Sequence, residues 1–286
     1  RALRVSGVLA GLGVAAGQRV ATLAWNSQAH VEAWFGIMGM GATCHTLNPR
    51  LTADQTAAML RQSEAQVLIV SADLLPLARE IAGMAPLPHI LAIDGDAAGA
   101  GNGAAVRPLE ALLAEATPDA AWGDFDENTA SGLCFTSGTT GQPKGVTYTH
   151  RSSYLHTLRL LQADVMGMTA QDTVMPVVPM FHANAWGIAF AAPAVGAKIV
   201  MPGANMDGQS IYELLDKEKV SVTAAVPTVW LMLLQHLEKT NAALPALNRV
   251  VIGGSAAPRS MIEVFEEKYD VKVFHAWGMT EMSPMG

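Results

Sequence analysis

The sequence predicts an α/β fold in which sheets are flanked by helices in two subdomains. Three observations carry this expectation. Apolar β-type runs alternate with helical patterns, turn-rich stretches separate them, and half of the 286 residues are hydrophobic. That composition suffices for one large core or two closely packed ones. Residues 1–18, RALRVSGVLAGLGVAAGQ, imitate a signal peptide with a basic start and an apolar middle, and no methionine precedes them. The preferred reading is a helix cut open at its start, a loop at Gly13 to Gly17 and a strand over 19–25.

The run RVATLAW leads into a helical pattern over 28–41, and QVLIVS into one over 73–83. Further on, KIVMPG precedes a helix over 208–218 and VSVTAAV precedes one over 227–239. Within 210–218, Ile211, Leu214 and Leu215 share a face while Glu213, Asp216 and Lys217 lie elsewhere, as a helix covering a sheet requires. Another helix follows Val250 to Gly253, with Pro258 suited to its first turn. Residues 94–106, DGDAAGAGNGAAV, are small, Gly-rich and aperiodic, so an exposed connection dividing the subdomains is expected there. The expected units are 1–125 and 126–286, without internal sequence repeats.

Composition narrows the functional classes. A formal net charge of −7 argues against a nucleic-acid surface, so any phosphate binding must be local. Cys44 and Cys134 form no CxxC pattern, which leaves no disulfide framework or zinc site and makes a reducing cytoplasm the simplest setting. The uncharged stretch from Thr173 to Ala197 is broken by Pro176, Pro179, His182, Asn184 and Pro193. It therefore reads as buried core beside a ligand site, and no transmembrane segment is expected.

The most informative stretch is FTSGTTGQPKGVTYTH at 135–150. Gly138 and Gly141 permit backbone geometry that lets amides converge on phosphate oxygens. Thr136, Ser137, Thr139 and Thr140 add hydroxyls, and Lys144 adds charge. A nucleoside triphosphate is the expected ligand. Pro143 and Gly145 depart from the GxxxxGK[ST] loop, which excludes the usual NTPase cradle. An ordinary Ser/Thr/Gly hairpin turn, between a strand ending at Phe135 and one starting near Val146, is the plainer alternative. Neither Gly11-Leu12-Gly13 nor the glycines at 36–41 spell a dinucleotide fingerprint, and Ser255 in GGSAA is no hydrolase elbow.

Residue order adds to composition. The loop at 135–150, PMFHANAWG at 179–187, VIGGSAAP at 251–258 and HAWGMTE at 275–281 follow one another as in the acyl-adenylate-forming, or AMP-binding, superfamily. With HTLNPRL at 45–51, the chain resembles medium- and long-chain fatty acyl-CoA synthetases over nearly its whole length. The resemblance implies the large N-terminal domain of such an enzyme, incomplete at both ends, with the small C-terminal lid domain, the ribose-binding aspartate and the adenylation lysine lying outside the sequence. A fragment of that kind is expected to be catalytically deficient.

For the complete protein the resemblance implies ATP-dependent activation of a fatty acid to acyl-AMP and then acyl-CoA, with release of AMP and pyrophosphate. ATP, Mg²⁺ and CoA are the implied cofactors and co-substrates, a small-molecule carboxylic acid the partner, and a homodimer the assembly. An aryl- or methylthiopropionate-CoA ligase, or a non-catalytic ATP-binding module, is the alternative.

By the same resemblance, the cradle from Thr136 through Ser137, Gly138, Thr139, Thr140 and Gly141 to Lys144 holds phosphates. Gly254, Ser255 and Ala256 line the adenine and acyl pockets, although a tight strand-to-helix turn also explains those glycines. His275, Ala276 and Trp277 belong to the nucleotide site, with Trp277 matching the aromatic residue stacked on adenine. His182, with Ala183, lies near the acyl carboxylate, and Trp186 matches a gate on the acyl tunnel, with core packing as its alternative. Thr280 matches the hydroxyl at the α-phosphate, while Glu281 and Thr136 match the Mg²⁺ ligands; surface residues opening a helix are the other reading of the Thr280 pair. His182, Thr280 and Lys144 are the implied catalytic residues. Ala276 replaces a family glycine, which leaves the size of the acyl group open.

Overall fold

The structure is a computed structural model that describes residues 1–95, 105–136 and 143–285. The chain divides into two compact units, Arg1–Ser153 and Tyr154–Gly286.

The first unit is built on a sheet of strands β1 (Arg19–Leu23), β2 (Thr43–Thr46), β3 (Val67–Ser71), β4 (His89–Ile93), β5 (Val106–Pro108), β6 (Ala130–Thr136) and β7 (Lys144–Thr149). Their order is β5-β4-β3-β1-β2-β6-β7, so the first strand of the sequence lies inside the sheet with β3 on one side and β2 on the other. All neighbours are parallel except β6 and β7, which form an antiparallel pair.

Parallel neighbours require crossovers, and the helices supply them. Helix Gln28–Gly39 joins β1 to β2, and Ser27 caps it by accepting from the His30 amide at 3.1 Å. Helix Ala53–Ser63 joins β2 to β3 and starts in a reciprocal Thr52–Gln55 capping box. Leu23, Leu47, Leu60, Leu68, Ile81 and Ile90 pack into one buried cluster. His30 is wholly buried, accepts from Trp34 Nε1 at 3.0 Å and donates from Nδ1 to the Trp25 carbonyl at 2.9 Å. Burial lowers its pKa to about 4, which fits a neutral ring.

The second unit holds β8 (Thr173–Pro176), β9 (Lys198–Ile199), β10 (Val222–Ala225), β11 (Arg249–Ile252) and β12 (Lys272–His275) in the order β12-β11-β10-β8-β9, all parallel. Helix Gly208–Lys217 buries Ile211 and Leu215 as its pattern predicts, and Asp207 caps it through the Gln209 and Ser210 amides at 3.1 Å. Helix Pro227–Thr240 begins with proline in its first turn and buries Trp230, Leu233 and Leu237.

Two expectations are corrected. The boundary falls at Ser153/Tyr154 rather than 125/126, because β6 pairs with β2 and carries β7 into the first sheet. Likewise 94–106 does not divide the units: β4 before it and β5 after it are hydrogen-bonded neighbours of one sheet. Residues 96–104 of that stretch lie outside the described residues. Some helices stop earlier than their apolar patterns, as at Gly39 instead of residue 41, where Gly41 turns back at φ +81°, whereas the 227–239 pattern runs on to Thr240. The β-type runs are similarly trimmed, most sharply at KIVMPG, of which only Lys198–Ile199 is strand.

Asp172 ties the N-terminal ends of the second sheet together. Its carboxylate accepts from Ser221 Oγ and Arg249 Nη2 at 2.8 Å, and from the Thr169 amide and hydroxyl at 2.9 and 3.1 Å. Burial alone would raise its pKa, but the Ser221 and Thr169 hydrogen bonds and the Arg249 charge outweigh it and hold the group below the ordinary aspartate value. Asp172→Ala is therefore expected to destabilise the protein by about 2–3 kcal/mol, since Arg249 is left half-buried without its counter-charge. Because the folded pKa is depressed, this contribution is present above the unfolded pKa and disappears as pH falls through the folded one. Urea unfolding of both proteins at neutral and acidic pH should show the gap closing in acid.

Candidate active site

In the first unit the phosphate-cradle sequence caps the β6–β7 hairpin. Thr136 and Lys144 are register partners there, and Thr136 Oγ1 donates to the Lys144 carbonyl at 3.5 Å. The Lys144 side chain is exposed. Ser137, Gly138, Thr139, Thr140 and Gly141 lie outside the described residues.

In the second unit, three segments carrying expected site residues pack on one another. The first is the turn after β11. Gly253 is buried, and a Cβ placed on it would lie 2.9 Å from Trp186 Cη2 and 3.2 Å from the Ala276 carbonyl oxygen. The absent side chain is what lets the indole meet the backbone. Gly254 follows at φ +79°, in the left-handed region that favours glycine, and Ser255 and Ala256 are exposed.

The second segment is Ala183–Gly187, a short helical turn of left-handed sense, with φ of 44°, 53°, 49°, 53° and 78° in succession. Such geometry costs L-residues about 1–2 kcal/mol each, so the surrounding packing must hold it. Trp186 is only 6% exposed and belongs to a buried cluster with Val178, Ile188 and Val251. His182, just before the turn, reaches the surface, yet desolvation still draws its pKa below the ordinary histidine value.

The third segment follows β12. The Ala276 amide donates to the Ile252 carbonyl at 2.7 Å, and His275 Nε2 accepts from the Ala257 amide at 3.2 Å. His275 therefore braces the glycine turn. Trp277 is 70% exposed and offers its ring to solvent. Beyond it, Gly278 and Met285 form an antiparallel bridge, and the Met279 amide donates to the Pro284 carbonyl at 2.9 Å. This closed loop holds Thr280 at 8% exposure and leaves the Glu281 carboxylate exposed.

Sequence reasoning missed His156, which accepts from the Met285 amide. Its place in the amphipathic helix His150–Leu160 gave no sign of a role beyond packing. Among the described residues, no three His, Cys, Asp or Glu side chains gather as a metal-holding group. The exposed Glu281 carboxylate of the second unit and the half-buried Thr136 hydroxyl of the first are each a hard oxygen donor of the kind Mg²⁺ takes.

The AMP-binding enzyme family model matches residues 1–286. The chain belongs to the AMP-binding enzyme family. A long-chain-fatty-acid–CoA ligase of Thermus thermophilus is 46% identical over 286 residues, covering 100% of this chain and 51% of that protein. A 3-methylmercaptopropionyl-CoA ligase of Ruegeria lacuscaerulensis is 42% identical over 292 residues, covering 100% of this chain and 53% of the relative. Among solved structures, an anthranilate CoA ligase in complex with anthranoyl-AMP superposes with a TM-score of 0.89 at 27% identity, over 98% of this chain and 54% of that one. The chain thus spans about half the length of the curated relatives it matches. Family membership gives the ordered motifs a common cause, which separate hairpins and turns do not. No helix among the described residues is long and apolar enough to cross a membrane.

Proposed function

We propose that the protein activates a medium- or long-chain fatty acid in two steps. A carboxylate oxygen attacks the α-phosphorus of ATP and the bond to pyrophosphate breaks, giving acyl-AMP. The thiol sulfur of CoA, its proton lost to solvent, then attacks the acyl carbonyl and AMP leaves. The observation that carries this reading is the contact of Trp186 with the Gly253 notch, which brings the turn assigned to the acyl group against the one assigned to adenine. The first step needs no side-chain nucleophile, only positioning and charge neutralisation.

In this assignment Lys144 and the glycine-threonine cradle neutralise the phosphates. The exposed Trp277 ring stacks on adenine, a contact that contributes about 1–3 kcal/mol in base recognition. Gly254, Ser255 and Ala256 line the base and acyl pockets, with His275 and Ala276 fixing that turn. Thr280 donates to the α-phosphate, and His182, neutral at physiological pH, lies beside the acyl carboxylate with Ala183. By the family resemblance Glu281 and the Thr136 hydroxyl are each assigned to Mg²⁺, which when bound would offset phosphate charge. Trp186 gates the acyl chain.

The 42% identical methylmercaptopropionyl-CoA ligase keeps a short thioether acid as the second reading. Carboxylate-dependent ATP–pyrophosphate exchange by the complete protein that contains this chain, measured over straight-chain acids, 3-methylthiopropionate and benzoates, tests both. Greatest exchange with medium- or long-chain acids is expected, and Trp186→Ala should flatten the preference without weakening ATP binding. Preference for the thioether acid would replace the fatty reading; no exchange with any acid would leave a nucleotide-binding module.

A further inference from the structure

We infer that His156 is a positioning residue for adenylate formation, its buried imidazole tying the Trp186 turn to the Thr280–Glu281 loop. The inference rests on the roles proposed above for those two segments.

His156 lies on helix His150–Leu160 and is 6% exposed. On one side, the Met285 amide donates to its Nε2 at 3.2 Å. Met285 closes the Gly278 bridge, so this bond reaches the loop that carries Thr280 and Glu281. On the other side stands Gly187, the last residue of the left-handed turn. A Cβ on Gly187 would lie 2.7 Å from His156 Nδ1 and 2.9 Å from Cε1, so the ring occupies the space beside its bare Cα. One imidazole thus touches the final residue of both segments, and Trp186 precedes that glycine directly.

Histidine suits the place because the contact needs an acceptor within a flat shape. A ring accepting at Nε2 carries its proton on Nδ1, and the neutral form must persist. Burial, assisted by the Arg159 charge, lowers the pKa to about 4, so the acceptor stays available at physiological pH. Leucine would fill much of the same volume but leave the Met285 amide without its partner. Glutamine can place an amide oxygen near the Nε2 position.

The test compares His156→Leu and His156→Gln in the complete protein that contains this chain by two readouts: hydrogen exchange of the Met285 amide, and kcat for ATP–pyrophosphate exchange with the preferred acid. In the leucine variant, amide exchange should accelerate about 10-fold and kcat should fall about 10-fold, the size of one lost hydrogen bond. Glutamine should restore both to within about threefold of wild type. Normal kcat in the leucine variant, or a loss that glutamine does not restore, would overturn the role. If the leucine variant does not fold, Met285→Pro removes the donor and leaves the helix untouched; wild-type kcat there would also overturn it. A wild-type protein without exchange activity would sink the functional assignment and this role with it, whereas faster Met285 exchange in the leucine variant would still establish the tie itself.

Discussion

Lys144→Ala in the complete protein that contains this chain is expected to slow acyl-adenylate formation by roughly 10²–10³-fold, the usual loss when one preorganised charge donor is removed from a transition state. ATP binding should weaken while AMP binding stays close to wild type. The expectation follows from placement: the exposed ammonium begins β7, opposite Thr136, and in the assignment proposed above it meets phosphates beyond the α position. Titration calorimetry with ATP and AMP, beside single-turnover adenylation, checks it. Equal losses of affinity for the two nucleotides would place Lys144 elsewhere.

Gly278→Ala should have a comparable effect for a different reason. The glycine is not in the left-handed region, so alanine meets no backbone penalty. Its Cβ would instead lie 2.1 Å from the Pro284 carbonyl oxygen, a rigid backbone atom that also accepts from the Met279 amide. The loop has to open, and Thr280 and Glu281 move with it. A displacement near 1 Å commonly costs about 10²-fold in rate, so adenylation should fall by about that factor. The thermal midpoint should change little, because the loop lies outside both sheets. Gly11→Ala, with nothing within 4 Å of its Cβ, is the matched control and should behave as wild type. Near-normal kinetics in Gly278→Ala would mean that the Thr280–Glu281 loop need not be closed.

Much of this fold was legible because burial leaves a strong mark on sequence. VLIVS is buried along its whole length and reads at once as an interior parallel strand. Polar β2, absent from the sequence pattern, buries hydroxyls and a histidine instead of a hydrocarbon run. TCHT is fully buried, with His45 Nδ1 bonded to Ser63 Oγ at 2.8 Å and Thr43 to the Ala130 carbonyl at 3.1 Å. Periodicity cannot register such a strand. For the candidate site, residue order picked out Trp186, Gly253 and Trp277, but neither the left-handed turn nor the bracing by His275 had a local signature. Ala183 and Ala185 are ordinary right-handed helix formers, and only surrounding packing dictates their opposite sense. The subdomain boundary was misplaced because a glycine-rich stretch marks a loop whether or not the sheet continues beyond it.

The strand orders also bear on how the chain comes off the ribosome. In each unit the lowest-numbered strand ends up inside its sheet: β1 between β3 and β2, and β8 between β10 and β9. Each therefore emerges with both edges bare, and β1 waits for a second neighbour until residue 71 has been made. Parallel pairing through crossover helices is slow to close, and unpaired edges are the templates on which other chains add. The helix between β1 and β2 is thus a folding element as well as a covering one: it brings the first partner within one βα step and shortens the interval in which a nascent copy can pair with its neighbours.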